Sequence, residues 1–310
     1  MITVIAGGVG AARLLAGLVQ VHPAAEITVV ANVGDDLELG GLHISPDLDT
    51  ITYTLAGAIN PETGWGLAGE SWQAMDALAR YGGETWFRLG DRDLGTHLYR
   101  TQRLAEGAGL STVTAEITAA WGLELRLLPV TEDRLRTMVT VVDEGEIGFQ
   151  EYFVERQHSV PVSAVRFEGA AAATPGPGVL AAVADADVVV IAPSNPIVSI
   201  DPVLAVPGVR DALEDARPRT VAVSPIVAGA AIKGPADRLL RELGHAATVV
   251  GVAELYAPVA AVLVIDEHDA ALSDAVEAEG LRCIVAPTVM SDPAAAAALA
   301  TTVLDAFAAD

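Results

Sequence analysis

The sequence of 310 residues predicts an α/β fold with a Rossmann-like, mostly parallel sheet and helices on both faces. Short apolar runs alternate along the chain with amphipathic helical segments, which is the pattern of βαβ units. The run at residues 187–192 has no polar face beyond its first residue, as expected for a central parallel strand. The length suits one large α/β domain or two small ones. Because the sequence shows no repeat, low-complexity tail or long linker, we predict a single domain over residues 1–310.

Each element follows from its local pattern. The chain contains nine short apolar, β-rich runs that we predict to be strands: 3–6, 27–31, 125–129, 137–142, 162–167, 187–192, 220–224, 261–265 and 282–286. Residues 143–146 lie between two alternating segments and predict a hairpin. Asp292 and Pro293 predict the cap and first turn of a last helix, 293–308. Residues 50–122 are predicted to form a mainly helical insertion over the strand ends, with helices at 69–81, 93–107 and 111–121.

A glycine loop connects the first strand to a helical run. Gly7, Gly8 and Gly10 follow the strand at residues 3–6, and Arg13 stands where a dinucleotide fingerprint has its third glycine. Backbone N–H groups at such a turn, together with the helix dipole, favour a phosphate. A guanidinium adds a bidentate phosphate ligand. The alternative is a glycine turn that only packs the helix on the strand.

The second strand ends in Asn32, where a nicotinamide-binding protein carries a carboxylate for the ribose. A nicotinamide oxidoreductase is a third hypothesis. It rests on the glycine loop alone, and Arg13 and Asn32 disfavour it.

An acidic loop comes next. Asp35, Asp36, Asp47 and Asp49 lie within 15 residues, and they should lie beside the glycine loop at the carboxyl edge of the sheet. Mg²⁺ takes one or two carboxylates together with water and substrate phosphate oxygens, so the cluster predicts a hard divalent cation. The alternative is two ordinary turns in which Asp35 and Asp47 cap helices.

A third polar stretch covers residues 86–100. Asp93, Thr96, His97 and Arg100 recur there at helical spacing and predict one polar helix face. Arg88 precedes the turn and has a side chain suited to holding an anion or stacking on a planar ring. A solvated helix face with local salt bridges is the alternative.

Two later loops combine small polar residues with prolines: residues 192–200, with Ser194 and Asn195, and residues 224–229. They offer hydroxyl, amide and backbone groups to a ligand, but plain strand-to-helix connections explain them equally well. Lys233 is the only lysine, and it is either a phosphate contact or an accident of composition. Four histidines have no metal-ligand spacing and are expected to be ordinary surface residues: His43, His158, His245 and His268.

Composition excludes several classes of protein. The net charge of −23 disfavours nucleic acid, which requires a basic face. No apolar run reaches the roughly 18 residues of a membrane span, and the N-terminus lacks the features of a signal peptide. Cys283 is the only cysteine, so an internal disulfide is impossible and a cytoplasmic protein is expected.

Together, these motifs strongly resemble those of the 2-phospho-L-lactate transferase family, whose members build the deazaflavin coenzyme F(420). Each motif is weak alone, but the ordered set is specific and spans most of the chain. The matching pieces are Gly7-Gly8-Val9-Gly10 with Arg13, Asn32-Val33-Gly34-Asp35-Asp36, Ser45-Pro46-Asp47-Leu48-Asp49-Thr50, Leu89-Gly90-Asp91-Arg92-Asp93 with Thr96-His97, Ala192-Pro193-Ser194-Asn195-Pro196-Ile197 and Ser224-Pro225-Ile226-Val227.

The resemblance implies Mg²⁺-dependent transfer of a three-carbon acid phosphate from a guanosine diphosphate ester to the ribityl 5'-hydroxyl of the deazaflavin Fo, with release of GMP. Family members use a lactyl donor in archaea or an enolpyruvyl donor in actinobacteria, and the arginine- and alanine-rich composition leans to the second. The implied partners are these small molecules, without nucleic acid or membrane. A homodimer is a further expectation.

The resemblance also assigns roles to individual residues. Those expected to bind the donor are Gly7, Gly8, Gly10, Arg13 and Asn32, with Ser194 and Asn195 for the guanine. Those expected to hold Mg²⁺ are Asp35, Asp36 and Asp49. Asp36 and Asp49 are also expected to be catalytic, and Asp49 can face the attacking hydroxyl. Those expected to bind the acceptor are Asp49, Arg88, Asp91, Arg92, Thr96 and His97.

A related family is the main alternative. It has the same type of fold, is known as the gluconeogenesis-factor family, binds nucleotide sugars and acts in regulation rather than catalysis. It shares the glycine loop and an acidic turn but lacks the Gly-Asp-Arg-Asp stretch, which this chain carries at residues 90–93. That stretch favours the transferase.

Overall fold

A seven-stranded sheet forms the centre of the structure, a computed structural model that describes residues 1–307. Its order is β14-β13-β10-β9-β1-β2-β5, and each pairing in it is parallel. The predicted Rossmann-like α/β class is therefore confirmed. The strands are β1 (Ile2–Ala6), β2 (Ile27–Ala31), β3 (Leu37–Leu39), β4 (Leu42–Ile44), β5 (Arg126–Pro129), β6 (Arg136–Val141), β7 (Gly145–Gly148), β8 (Val162–Glu168), β9 (Val188–Ile191), β10 (Thr220–Val223), β11 (Ile226–Val227), β12 (Ala230–Ala231), β13 (Val262–Ile265) and β14 (Arg282–Val285).

The strand order reverses between β1 and β9. From β1 the chain continues to β2 on one side, whereas from β9 it continues to β10 on the other side. In open α/β sheets, ligands bind beyond the carboxyl ends of the strands at such a switch point. The glycine loop and the loop that begins at Ala192 leave the sheet there, on adjacent strands.

Helices surround this sheet. They are α1 (Gly8–Val21), α2 (Pro46–Leu55), α3 (Gln73–Arg80), α4 (Asp93–Ala105), α5 (Leu110–Ala120), α6 (Val179–Ala184), α7 (Asp201–Leu204), α8 (Val209–Ala216), α9 (Ala236–Glu242), α10 (Val249–Tyr256), α11 (Ser273–Ala278) and α12 (Pro293–Leu304). Asp292 caps α12 as predicted, because its carboxylate accepts hydrogen bonds from the N–H groups of Ala294 and Ala295, both at 2.9 Å. Residue 308, the last of that predicted helix, lies outside the described residues. Within residues 1–307, every helix is too short or too polar to cross a membrane.

The helical stretch between β4 and β5 begins at Pro46, earlier than the predicted residue 50, and holds α2 to α5. The assignment of the whole chain to one domain stays a prediction.

Two predicted strands belong to a different sheet. β6 and β8, predicted at 137–142 and 162–167, pair antiparallel in a three-stranded sheet of order β7-β6-β8. The predicted hairpin at residues 143–146 is confirmed and joins β6 to β7; strands joined by a short turn are antiparallel, whereas a parallel pair requires a long crossover.

A second hairpin, β3–β4, was not predicted. Leu39 pairs with Leu42 across the two-residue turn Gly40-Gly41, and both glycines have positive φ, at 58° and 79°. Such a Gly-Gly pair is a hairpin signal that was present in the sequence.

The close packing of α1 on α12 leaves no room for a side chain at position 17. A Cβ at this position would overlap the carbonyl oxygen of Ala296. We therefore expect Gly17→Ala to force the two helices apart and to lower the free energy of unfolding by about 1–3 kcal/mol, measured by urea denaturation. Gly95→Ala is the matched control, since this exposed position on α4 has no atom within 4 Å of a new Cβ. It should stabilise the protein by up to about 1 kcal/mol. Equal stability of Gly17→Ala and the parent protein would contradict this packing.

A candidate active site at the switch point of the sheet

A cavity of about 340 Å³ lies at the switch point, which is within the size range of small-molecule sites. Ten of the fifteen predicted site residues line it: Gly7, Gly8, Gly10, Arg13, Asp35, Asp49, Arg88, His97, Ser194 and Asn195. Five lie outside its lining: Asn32, Asp36, Asp91, Arg92 and Thr96. The cavity thus brings the glycine loop, the acidic loop and the 86–97 segment together.

Glycine is required at Gly8 and at Gly10 of the first loop for different physical reasons. Gly8 has φ 69°, a left-handed conformation that favours glycine. A Cβ at Gly10 would overlap the carbonyl oxygen of Pro193. Glycine at this position therefore permits close packing of α1 against the loop after β9. α1 starts at Gly8, whose N–H is hydrogen-bonded to the Asp47 carboxylate. The N–H groups that follow in the first turn have no partner within the helix and suit an anion in the cavity.

The loop after β9 is tied to the glycine loop. Ser194 Oγ donates a hydrogen bond to the carbonyl oxygen of Gly7 at 2.7 Å. Asn195 Oδ1 accepts one from the N–H of Ile197 at 3.0 Å. Both residues line the cavity, and both also hold their own loop in place.

Asn32 connects the acidic loop to α2. This fully buried amide donates to Asp47 Oδ2 at 3.0 Å, and its oxygen accepts from the N–H of Gly34 at 2.7 Å. Both polar groups of Asn32 therefore bond within the protein. The structure places Asn32 behind the cavity wall rather than against a ligand.

Asp35 and Asp47 form a pair of buried carboxylates in the cavity wall. Burial raises the pKa of Asp47 to about 7. Burial and the charge of Asp47 raise the pKa of Asp35 well above its usual range. Asp35 Oδ1 has no hydrogen-bond partner among the described residues. Two adjacent carboxylates without a counter-charge suit a cation.

No three His, Cys, Asp or Glu side chains in residues 1–307 are grouped as a complete metal site. A cation here would accordingly take one or two carboxylates together with water and ligand oxygens, as Mg²⁺ typically does.

Asp36 lies behind this pair. It accepts a hydrogen bond from Ser45 Oγ at 2.7 Å, and His43 Nε2 lies 3.0 Å from the same oxygen. Burial raises the pKa of Asp36, and its Oδ1 has no partner in the described part of the chain. His43, expected to be an ordinary surface residue, is instead partly buried in this cluster. Sequence spacing missed it because the β3–β4 hairpin brings it back to Asp36.

Asp49 is held by Arg100, which sequence reasoning did not assign to the site. Arg100 Nη1 donates to Asp49 Oδ2 at 3.1 Å, and Nη2 donates to Oδ1. Arg100 and Asp49 are 1% and 5% exposed, so this is a buried bidentate pair between α4 and α2. Both oxygens of Asp49 are therefore engaged.

The pair continues into a chain of polar side chains. Arg100 Nη1 lies 3.4 Å from His97 Nδ1, and His97 Nε2 lies 3.3 Å from Asp93 Oδ2. The Tyr53 hydroxyl donates to Asp93 Oδ1 at 2.6 Å, and Thr96 Oγ1 lies 2.7 Å from the Tyr53 oxygen. Burial favours the neutral form of Asp93, but the contacts with His97 and Tyr53 and the charge of Arg100 together outweigh it and lower the pKa of Asp93. The i,i+4 pairs Asp49–Tyr53 and Asp93–His97 were a helical signal for this network.

Arg88 lies at the cavity edge with Phe87. Its guanidinium carbon is 4.8 Å above the centre of the Trp72 ring, and Nη2 donates to Asp76 Oδ1 at 3.3 Å. Trp72 therefore supports one face of the guanidinium.

The Gly-Asp-Arg-Asp turn does not bring Asp91 and Arg92 to the cavity. The Asp91 carboxylate accepts hydrogen bonds from the N–H groups of Gln73 and Ala74, at 2.9 and 3.0 Å, at the start of α3. Arg92 donates to the carbonyl oxygen of Ala68 at 2.7 Å. Both side chains hold the segment together, because the termini of α3 and α4 require partners for their N–H groups.

Further residues line the cavity that the sequence patterns did not indicate or left undecided. Phe149 and Phe153 stack at 5.5 Å and form an apolar wall. Thr288 also lines the cavity, and the buried Asp266 holds it, accepting from its N–H at 2.8 Å and from Oγ1 at 2.9 Å. Lys233, which was undecided, lines the cavity as well. Only tertiary structure connects these distant segments to the glycine loop.

Comparison with known proteins gives a consistent result. The family model for 2-phospho-L-lactate transferase CofD matches residues 2–299. A phosphoenolpyruvate transferase of Streptomyces griseus is 47% identical, and the match covers 98% of this chain and 97% of the relative. A protein of the same name from Mycolicibacterium smegmatis is 42% identical, with 98% of both chains covered.

A crystal structure of a UPF0052-family protein from Bacillus halodurans resembles this chain with a TM-score of 0.64 over 98% of both chains. Its sequence identity is 17%, so this likeness concerns the fold alone.

The buried pair between Arg100 and Asp49 leads to a stability prediction. Arg100→Met should lower the free energy of unfolding by about 3–5 kcal/mol, because Asp49 is left buried without its cation. The double variant Arg100→Met, Asp49→Leu should recover much of this loss. Arg103→Met is the control: this arginine on the same helix pairs with Glu106 and Glu116 at a solvent-accessible position. It should cost about 1 kcal/mol or less. Equal losses for both single variants in urea denaturation would contradict the prediction.

The pKa of Asp47 leads to a prediction on pH. Its folded-state pKa of about 7 lies above the unfolded value of about 3.9. The folded state therefore binds the proton more tightly, and the stability from Asp47 is present below about pH 4 and lost as pH rises through 7. Without divalent cations, the free energy of unfolding should fall less over this range in Asp47→Asn than in the parent protein. Asp274→Asn, at an exposed position on α11, should keep the parent slope. Identical slopes for all three proteins would refute the assignment.

Proposed function

This chain belongs to the 2-phospho-L-lactate transferase CofD family, and we propose that it transfers a phosphoenolpyruvyl group in coenzyme F(420) biosynthesis. The proposed donor is a guanosine diphosphate ester, the acceptor is the ribityl 5'-hydroxyl of Fo, and GMP leaves. The relatives named phosphoenolpyruvate transferase favour an enolpyruvyl over a lactyl donor. The observation that carries the proposal is the cavity, because it joins an anion-binding loop, buried carboxylates and an aromatic-edged segment.

The donor is proposed to bind at the switch point. The first N–H groups of α1 and Arg13 would hold its phosphates. Ser194 and Asn195 are proposed to contact the guanine from the next strand end. Asn32 would act indirectly, by holding the acidic loop beside the glycine loop.

The four aspartates differ in how well each could bind Mg²⁺. The buried, unpartnered oxygens of Asp35 and Asp36 fit a cation, and Asp47 shares the cavity wall with Asp35. Asp49 does not fit as a direct ligand, because Arg100 engages both of its oxygens. We therefore propose that Asp35, together with either Asp36 or Asp47, holds the metal, which keeps the set at one or two carboxylates, and that Asp49 serves the acceptor. When bound, Mg²⁺ would neutralise charge on the donor phosphates.

The acceptor is proposed to bind between α2 and the 86–97 segment. Asp49 would accept a hydrogen bond from the attacking hydroxyl, with its orientation set by Arg100 and His97. One face of the Arg88 guanidinium lies on Trp72, and the other face would stack on the planar deazaflavin. Thr96, through Tyr53, and the turn residues Asp91 and Arg92 would shape this half of the site.

The regulatory alternative remains open to a direct test, because it predicts ligand binding without turnover. A cytoplasmic location and a homodimer are further proposals, and the latter is measurable by sedimentation of the purified protein.

The decisive experiment is turnover. Purified protein, Fo and Mg²⁺ are incubated with the enolpyruvyl or the lactyl guanosine diphosphate ester, and products are identified by mass spectrometry. We expect phosphoenolpyruvyl-Fo and GMP. Asp49→Ala and Asp36→Ala should lower the rate on the order of a thousandfold, since several kcal/mol of transition-state stabilisation is lost. Asp274→Asn should retain the parent rate, and circular dichroism should confirm folding of each variant.

Each contrary result is informative. Nucleotide binding without product in any donor arm would support the regulatory alternative. Full Mg²⁺-dependent activity of Asp36→Ala would remove that residue from the metal set, and full activity of Asp49→Ala would remove it from the acceptor site.

A further inference from the structure

Lys233 connects two separate parts of the cavity wall. It lies in the segment before α9, and its Nζ donates a hydrogen bond to the carbonyl oxygen of Thr63, in the loop between α2 and α3. A Cβ at the neighbouring Gly64 would lie 2.6 Å from Nζ and 3.5 Å from Val9 Cγ1. Lys233 therefore ties the loop at residues 60–66 to the segment before α9, and the same loop lies close to Val9 of the glycine loop. Two residues of that loop, Trp65 and Gly66, also line the cavity.

Lys233 and Arg13 line the same cavity as like charges. Burial lowers the pKa of Lys233, and the positive charge of Arg13 lowers it further. Within residues 1–307, neither side chain has a carboxylate at salt-bridge distance, although Asp and Glu outnumber Lys and Arg by 41 to 18. Two neighbouring cations without counter-charges, beside the open N–H groups of α1, form a site for a multiply charged anion.

We propose that Lys233 is a binding residue for the diphosphate of the donor, and that its bond to Thr63 closes the 60–66 loop over this anion. An ammonium has three N–H donors. One is used on Thr63, which leaves two for phosphate oxygens. Arg13 supplies a planar guanidinium from α1, so the diphosphate lies between two cations from distant parts of the chain. This inference rests on the proposed function and adds a residue and a loop to its donor site.

Position 64 must remain small for this arrangement. Gly64 has φ 76°, which favours glycine, and a Cβ there would lie 2.6 Å from Nζ, so Gly64→Ala would displace the ammonium itself. Gly66, in the same loop, has φ 67° and no atom within 4 Å of a new Cβ, so Gly66→Ala strains the loop but leaves both cations in place. The variant separates binding of the anion by Lys233 from simple attachment of the loop.

The test uses inorganic pyrophosphate as the probe, measured by calorimetry on the full chain without acceptor. We expect Lys233→Met and Arg13→Met each to weaken binding by about tenfold or more, because a charge-assisted contact is lost. Lys233→Arg should recover much of the affinity, and Gly66→Ala should keep more of it than Lys233→Met. Arg80→Met, at an exposed position at the end of α3, is the control and should bind as the parent does.

Proteolysis gives the readout for the loop. In the parent protein, pyrophosphate should slow cleavage within residues 60–66, and this protection should be lost in Lys233→Met. Unchanged pyrophosphate affinity of Lys233→Met would overturn the inference. Equal losses of affinity in Lys233→Met and Gly66→Ala would also overturn it, since Lys233 would then act only by attaching the loop. These outcomes are independent of turnover, so failure of the proposed reaction is distinguishable from failure of this site.

Discussion

The buried ion pair between Asp49 and Arg100 is the interaction on which the arrangement of the site depends. It joins α2, which carries the acidic loop into the cavity, to α4, which carries His97 and Asp93. Two charges so deeply buried must remain paired, because either one alone would bear the full cost of desolvation. Their pairing therefore sets the distance between the two helices. It also sets the position of each polar side chain that reaches the cavity through them.

This pair divides the aspartates into two groups with different electrostatics. Asp49 has a cation on both oxygens, whereas Asp35 and Asp47 face each other without one, and burial raises their pKa values. A divalent cation would offset the repulsion between Asp35 and Asp47. Asp49 offers it no free oxygen, because Arg100 contacts both. In sequence the four aspartates look alike. Their proposed division between metal and acceptor rests on the contact of Arg100 with Asp49.

The sheet explains why one cavity contains so many distant segments. At the switch point the loops after β1 and β9 leave neighbouring strands, and Ser194 bonds directly to Gly7. Gly10 permits this by packing against the backbone of Pro193. Close packing therefore explains Gly10, whereas the left-handed φ explains Gly8. Lys233 and two residues of the 60–66 loop, Trp65 and Gly66, line the same cavity.

Local patterns in the sequence determined the parallel sheet, the cap of α12, the hairpin at 143–146 and the set of motifs that marks the family. These features depend on near neighbours in the chain, namely apolar runs, capping residues, turn residues and short motifs. Tertiary structure alone decided that Asp91 caps α3, that His43 contacts Asp36, and that β6 and β8 leave the central sheet. It also decided that Arg100 engages Asp49. Such contacts join residues that are far apart in sequence, and many partners of suitable charge were available to each. Only the packing of helices on the sheet selects among them, because it fixes which side chains share a buried space.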